Sequence, residues 1–298
     1  MKAVSITFYG LFILCIFCSN KDLLLLFIPA KVLSSLSTKN MEDLFTTLSS
    51  KALSSENLQK VITAEDFWFP GRWIGAVSLI VSPLLLLVGA LLRFPFHFFF
   101  PQQLQAFDQY PTLMQTSYSL FLAGNLLLWP AILTLTHLIG KTQPAWSLWG
   151  GTMVLLGLFA RTFHAGIDHM AFQLVDSLHL EAATKLVANS YGAFHIVSAL
   201  SACIFFGWIV LAIGAYRSGI FGWFFSIALA SMAALMIGVL KGSSWVSLLS
   251  ICGLSVALLP LGITLLLAKP KPSRAAVFGW SLLMIAVVTL LFFSGQVG

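Results

Sequence analysis

Seven apolar stretches follow one another from Arg72 onward, at about 72–92, 115–139, 146–172, 187–214, 219–240, 244–268 and 275–294. Each is long enough to cross a hydrocarbon layer of about 30 Å at about 1.5 Å of helix per residue. The links between them are short and hold the charges and prolines: Lys141 to Pro144, Arg217-Ser218-Gly219, Lys241-Gly242 and Lys269-Pro270-Lys271-Pro272. The stretches are solidly apolar, whereas the strands of a membrane barrel alternate between lumen and lipid, so strands are excluded. The expected architecture is all-α: a polytopic transmembrane helix bundle of about seven spans. Charged residues make up only 9% of the chain and hydrophobic ones 59%, against about a quarter charged in a soluble domain. So few charges cannot cover a water-facing surface, and the outside of the bundle must meet lipid.

The formal net charge of +6 reads as basic loops that set orientation and meet anionic lipid. No run of Lys and Arg forms a nucleic-acid patch, so no nucleic-acid partner is expected. With the segment before Arg72 inside, the inner links carry Lys141, Arg217, Lys269, Lys271 and Arg274 without an acid. The outer links carry Arg93, Lys185 and Lys241 mixed with Asp108, Asp176 and Glu181. This asymmetry places the N-terminus of the core inside and the C-terminus outside, most simply in a plasma (inner) membrane.

Three regions are expected. Residues 1–40 hold a short apolar run, Val4 to Cys18, that reads as a signal or anchor segment or an upstream extension, with Met41 a natural start. Residues 41–71 are polar, and Leu44, Leu48, Leu53 and Leu58 among charges suggest a partly amphipathic surface helix. Residues 72–298 form the seven-helix membrane domain.

The informative anomaly is a group of polar side chains inside the apolar stretches. Arg161, His164 and Asp168 lie in the third stretch, and at 100° per residue they share an arc of about 60° over two turns. An ionisable group in hydrocarbon costs about 2.5–3.5 kcal/mol on insertion scales, so such residues are candidates for function. Asp168 is expected to neutralise Arg161 and to accept from His164. His169 falls on the neighbouring face. Tyr191, His195 and Ser198 share one face of the fourth stretch, and Tyr118, Asn125 and Trp129 line the second, with Pro130 beside them. His164 and His195 each fall about 12 Å below the same outer surface, and Asn125 reaches similar depth. The candidate ligand site is therefore Asn125, Arg161, His164, Asp168, Tyr191 and His195, in the outer half of the bundle.

Two imidazoles and a carboxylate, from His164, Asp168 and His195, also make a minimal zinc set with an open position. The arrangement loosely resembles the alkaline ceramidase-like membrane hydrolases, which hold zinc with three histidines. No histidine follows His195, so the late paired-His pattern of that family is missing and membership is not assigned. A rhodopsin is excluded because 275–294 contains no lysine for a Schiff base. Cys15 and Cys18 form an isolated CxxC without a second pair, and Cys203 and Cys252 read as small apolar residues. Phosphate-binding Gly-rich loops, a CxxCH haem site and a nucleophile elbow are all lacking. The expectation is a membrane protein that binds or carries a small molecule, without a catalytic residue assigned. The alternatives are a structural or regulatory subunit whose charges organise packing, and a metal-dependent hydrolase.

Overall fold

A computed structural model describes residues 68–190, 196–235 and 240–268, with scattered helical positions between 275 and 290. The segments before Trp68, the candidate residues Tyr191 and His195, and the continuous extent of the seventh stretch lie outside the described residues. Within them every element is helical.

Helix α1 runs Arg72–Arg93, preceded by Gly71 at φ 85°, a left-handed conformation that suits glycine. Three further helices begin with proline in the first turn: α2 (Phe100–Gln109), α3 (Pro111–Gly140) and α4 (Pro144–Leu178). Proline is at home there, because the first-turn N–H has no intrahelical partner to lose. Then come α5 (Leu180–Ser190), the single turn α6 (Ile196–Ala199), α7 (Ser201–Arg217) and α8 (Trp223–Ala230). A 3-10 turn, Ser231–Ala234, continues α8. Last is α9 (Trp245–Leu267), whose Ser244 hydroxyl accepts from Ser247 N–H at 3.2 Å, a serine N-cap.

The packing order closes a ring. Helix α1 lies against α3 and α9, α3 against α4, α4 against α7, α7 against α8, and α8 back against α9. Leu79, Leu86, Leu128, Leu135, Trp208, Leu211, Leu254 and Leu258 fill its interior and are all but inaccessible. The opposite faces are apolar and open: Trp149 is 64% exposed, Met170 63%, Trp223 66%, Ile227 62% and Leu249 68%. Exposed apolar surface of that extent is tolerable against lipid and not against water. Helices α1, α3 and α9 are each long and apolar enough to cross a membrane, with two shorter apolar helices at Ala202–Arg217 and Trp223–Ala234. The chain has transmembrane character.

Close approach inside the ring depends on small residues. A Cβ on Gly89 would fall 2.8 Å from Ser117 O, and one on Gly124 would fall 2.8 Å from Leu86 N. Helices α1 and α3 therefore meet backbone to backbone, where dispersion and packing replace the hydrophobic effect as the source of association in lipid.

Three departures from the sequence expectation bear on the site. The Phe-rich stretch after α1 leads into a helix, α2, that the apolar pattern does not predict. It buries Gln103, Leu104, Ala106 and Phe107 and turns Gln102, Gln105, Asp108 and Gln109 outward. Within the stretch 187–214 the described helices are α5 as far as Ser190, the turn α6 and α7 from Ser201. In the stretch 219–240 regular helix stops at Ala230, the 3-10 turn ends at Ala234, and Leu240 has φ 47°.

Candidate functional site

Helix α4 has 35 residues and exceeds the hydrocarbon thickness at about 52 Å. Arg161, His164 and Asp168 sit along one stripe of it and all three are buried. His169 and Gln173, off that stripe, are exposed. The arc expected from helical spacing is thus the inward face of α4.

The stripe meets the interrupted segment after α8. Arg161 Nη2 donates to Leu235 O at 3.5 Å, and Asp168 Oδ1 accepts from Leu240 N–H at 2.6 Å. One charged side chain therefore takes each end of the break. Backbone groups freed at membrane depth must find partners inside the protein, and charge-assisted hydrogen bonds are the strong kind. The expected pairing of Arg161 with Asp168 gives way to these backbone contacts. Two turns of helix, about 10.5 Å, separate the two residues, while the broken segment brings a carbonyl and an N–H directly against them.

A second buried arginine completes the cluster. Arg93, the last residue of α1, is 5% exposed. Its guanidinium lies 4.7 Å from the Tyr118 ring centroid and 4.2 Å from that of Phe121, and Nε donates to Ser243 Oγ at 3.1 Å. Arg161 approaches the same Phe121 ring at 5.9 Å. Arg93 is thus a second buried cation of the cluster, from a position that sequence reasoning assigns to an outer link. Only its position at the end of an apolar run, with Tyr118 and Phe121 on the next long helix, hints at burial.

Asn125 joins from α3. Its Nδ2 donates to Leu158 O at 3.2 Å and to Thr162 Oγ1 at 3.0 Å, tying α3 to α4 one turn from Arg161. Tyr118 donates its hydroxyl to Gln103 Oε1 at 3.1 Å, and Gln103 Nε2 donates to His97 O. Helix α2 thereby covers one end of the cluster, sealed by Phe107 stacked on Phe172 at 4.4 Å and by Leu104, Val175, Val187 and Leu240. Gly242 N–H donates to Phe98 O at 2.9 Å, which fastens the Phe-rich loop to the residues that follow the break.

Of the six candidate residues, Asn125, Arg161, His164 and Asp168 lie buried on the facing sides of α3 and α4. No known family, curated protein or solved structure matches this chain. Whatever the cluster does must be read from its own chemistry.

Several hydrogen-bonding atoms in this region are buried without a partner among the described residues. They include Arg161 Nη1, Asn125 Oδ1 and Trp129 Nε1. Such atoms are uncommon in folded proteins, because an unmet buried donor or acceptor costs about 1–3 kcal/mol. As for zinc, no group of three His, Cys, Asp or Glu side chains gathers among the described residues, and the triad with His195 reaches beyond them. An open recess of about 420 Å³ lies at the opposite end of the bundle, lined by Phe69, Thr136, His137, Gly140, Lys141 and Ser147. It shares no residue with the buried charges.

Proposed function

We propose that this chain is a multi-pass membrane protein of about seven spans that binds or carries a small polar ligand at the Asn125–Arg161–Asp168 cluster. The observation that carries this reading is Arg161 Nη1, a permanently charged donor buried beside the end of α8 without an acceptor among the described residues. Non-helical backbone at membrane depth is tolerated where it is buried or lines a cavity, and interrupted helices are where transporters place their substrates. Asn125 Oδ1 adds an acceptor on the facing helix, so a ligand with both kinds of hydrogen-bonding group is supported.

Thermal unfolding of the full chain in detergent, scanned against a library of small polar metabolites, tests the proposal. A ligand should raise the Tm of the wild type and not that of Arg161→Met. Equal shifts in both proteins, or none from any compound, would remove the site.

A second reading has its own support: the hydrogen bonds of Arg161 and Asp168 go to the backbone at the two ends of the break. In that case the charges organise packing alone. Arg161→Met would then lower expression and Tm without any ligand-dependent difference.

A further inference from the structure

We infer that the ligand of this cluster is an oxyanion, a carboxylate or a phosphate, taken by the guanidinium of Arg161. The inference rests on the ligand-binding reading above and narrows it to a chemical class.

Charge is the first ground. Four acidic residues follow Trp68: Asp108, Asp168, Asp176 and Glu181. Asp108, Asp176 and Glu181 are exposed, and only Asp168 is buried. The chain has no Asp or Glu after Glu181. Against this one carboxylate stand two buried guanidiniums, Arg93 and Arg161, and arginine stays protonated in proteins. Among the described residues the cluster therefore holds one positive charge more than its own carboxylate balances. A buried charge left without a counter-charge is strongly destabilising, and more so at membrane depth.

Geometry then distinguishes the two arginines. Arg93 is committed: aromatic rings lie over its guanidinium at 4.7 and 4.2 Å, and Ser243 takes its Nε. Arg161 is not. Its Nη2 reaches Leu235 O at the long distance of 3.5 Å, and its Nη1 is without an acceptor among the described residues. A planar fork with two such donors matches the two oxygens of a carboxylate or phosphate, which is the arrangement that favours arginine over lysine. The same oxygens occur on free ions and on anionic lipid headgroups, and both sources reach a membrane-embedded site.

The full chain, purified in a neutral detergent, would be measured for Tm and by titration calorimetry. The probes are inorganic phosphate, acetate, and mixed micelles containing phosphatidic acid. Glucose, tetramethylammonium chloride and phosphatidylcholine micelles are the neutral, cationic and zwitterionic counterparts. At least one oxyanion should stabilise the wild type, Arg161→Lys should weaken binding about tenfold or more, and Arg161→Met should abolish it. Arg217→Met, which removes an exposed cation at the other end of the bundle, should leave binding intact. Saturation by phosphate or acetate identifies a free ion, and a response to phosphatidic acid alone identifies a lipid.

Arg161-dependent binding of glucose or tetramethylammonium without any oxyanion would overturn the charge class and leave a ligand site standing. Absence of Arg161-dependent binding for every probe would overturn both. Should Arg161→Met fail to fold, Arg161→Gln keeps a donor for Leu235 O without the charge, and the contrast among probes on the wild type still separates the charge classes.

Discussion

Between Tyr118 and Phe121 the guanidinium of Arg93 is held by ring faces and one hydroxyl, a setting that an ammonium cannot reproduce. A lysine keeps the charge but loses the planar contact and the Nε bond. Arg93→Lys should therefore lower stability by about 1–2 kcal/mol, and Ser243→Ala by about 1 kcal/mol, both read by thermal unfolding in detergent. Equal stability of Arg93→Lys and wild type would mean that the rings contribute nothing beyond contact. The charge pairing has a sharper test. Asp168 is bonded to Leu240 N–H and shares the buried cluster with Arg93, so a double-mutant cycle of Asp168→Asn with Arg93→Met should give a coupling energy of about 1 kcal/mol or more. The cycle with Arg161→Met should give less. A larger Asp168–Arg161 coupling would restore the direct pair that helical spacing suggests. At this scale the stripe on α4 was legible, because a 3.6-residue period puts residues 161, 164 and 168 on one face whatever they touch. What they touch was not, because a backbone carbonyl and an N–H freed by a broken helix have no signature in side-chain identity.

Helices α1, α3 and α9 were legible to within a few residues, since a long apolar run admits only a helix in lipid. Less so α2: ten residues with Gln102, Gln103 and Gln105 read as a link, and only the tertiary cover over Phe172 and Tyr118 makes a helix of them. The break after Ala234 was hidden for the opposite reason. The sequence there is as apolar as any span, and the contacts to Leu235 and Leu240 come from Arg161 and Asp168 on another helix. Glycine positions test the packing of these elements one at a time. Gly89→Ala and Gly124→Ala should each cost about 1–3 kcal/mol, because the new methyl meets backbone atoms at 2.8 Å and the helices must part. Gly166→Ala on α4 meets nothing within 4 Å and should be neutral or stabilising by up to about 1 kcal/mol. Comparable losses at all three positions would indicate a loss of helix geometry in general and would count against close packing of α1 on α3.

At the scale of the whole molecule, contacts sort the links into two ends. Trp68 stacks on His137 at 4.3 Å, and Arg217 lies over Trp146 at 5.5 Å, so the start of α1 joins the α3–α4 link and the α7–α8 link joins the start of α4. At the other end Phe94 meets Trp245 at 4.6 Å, and Phe98 O accepts from Gly242 N–H. Arg72, Lys141 and Arg217 belong to the first end, where no acid is found among the described residues. Asp108, Asp176, Glu181, Lys185 and Lys241 belong to the second. Since Lys and Arg in short loops are retained on the cytoplasmic side, the first end should face inward and the α2 cover should face outward. Single cysteines at Thr142, Ser218, Asp108 and Glu181, in a chain whose own four cysteines are replaced, test this with a membrane-impermeant maleimide on intact cells. Asp108→Cys and Glu181→Cys should label, while Thr142→Cys and Ser218→Cys should react only after the membrane is opened. The reverse pattern would keep the two ends and invert the orientation. Labelling of all four from outside would break the alternation on which the ring of helices depends.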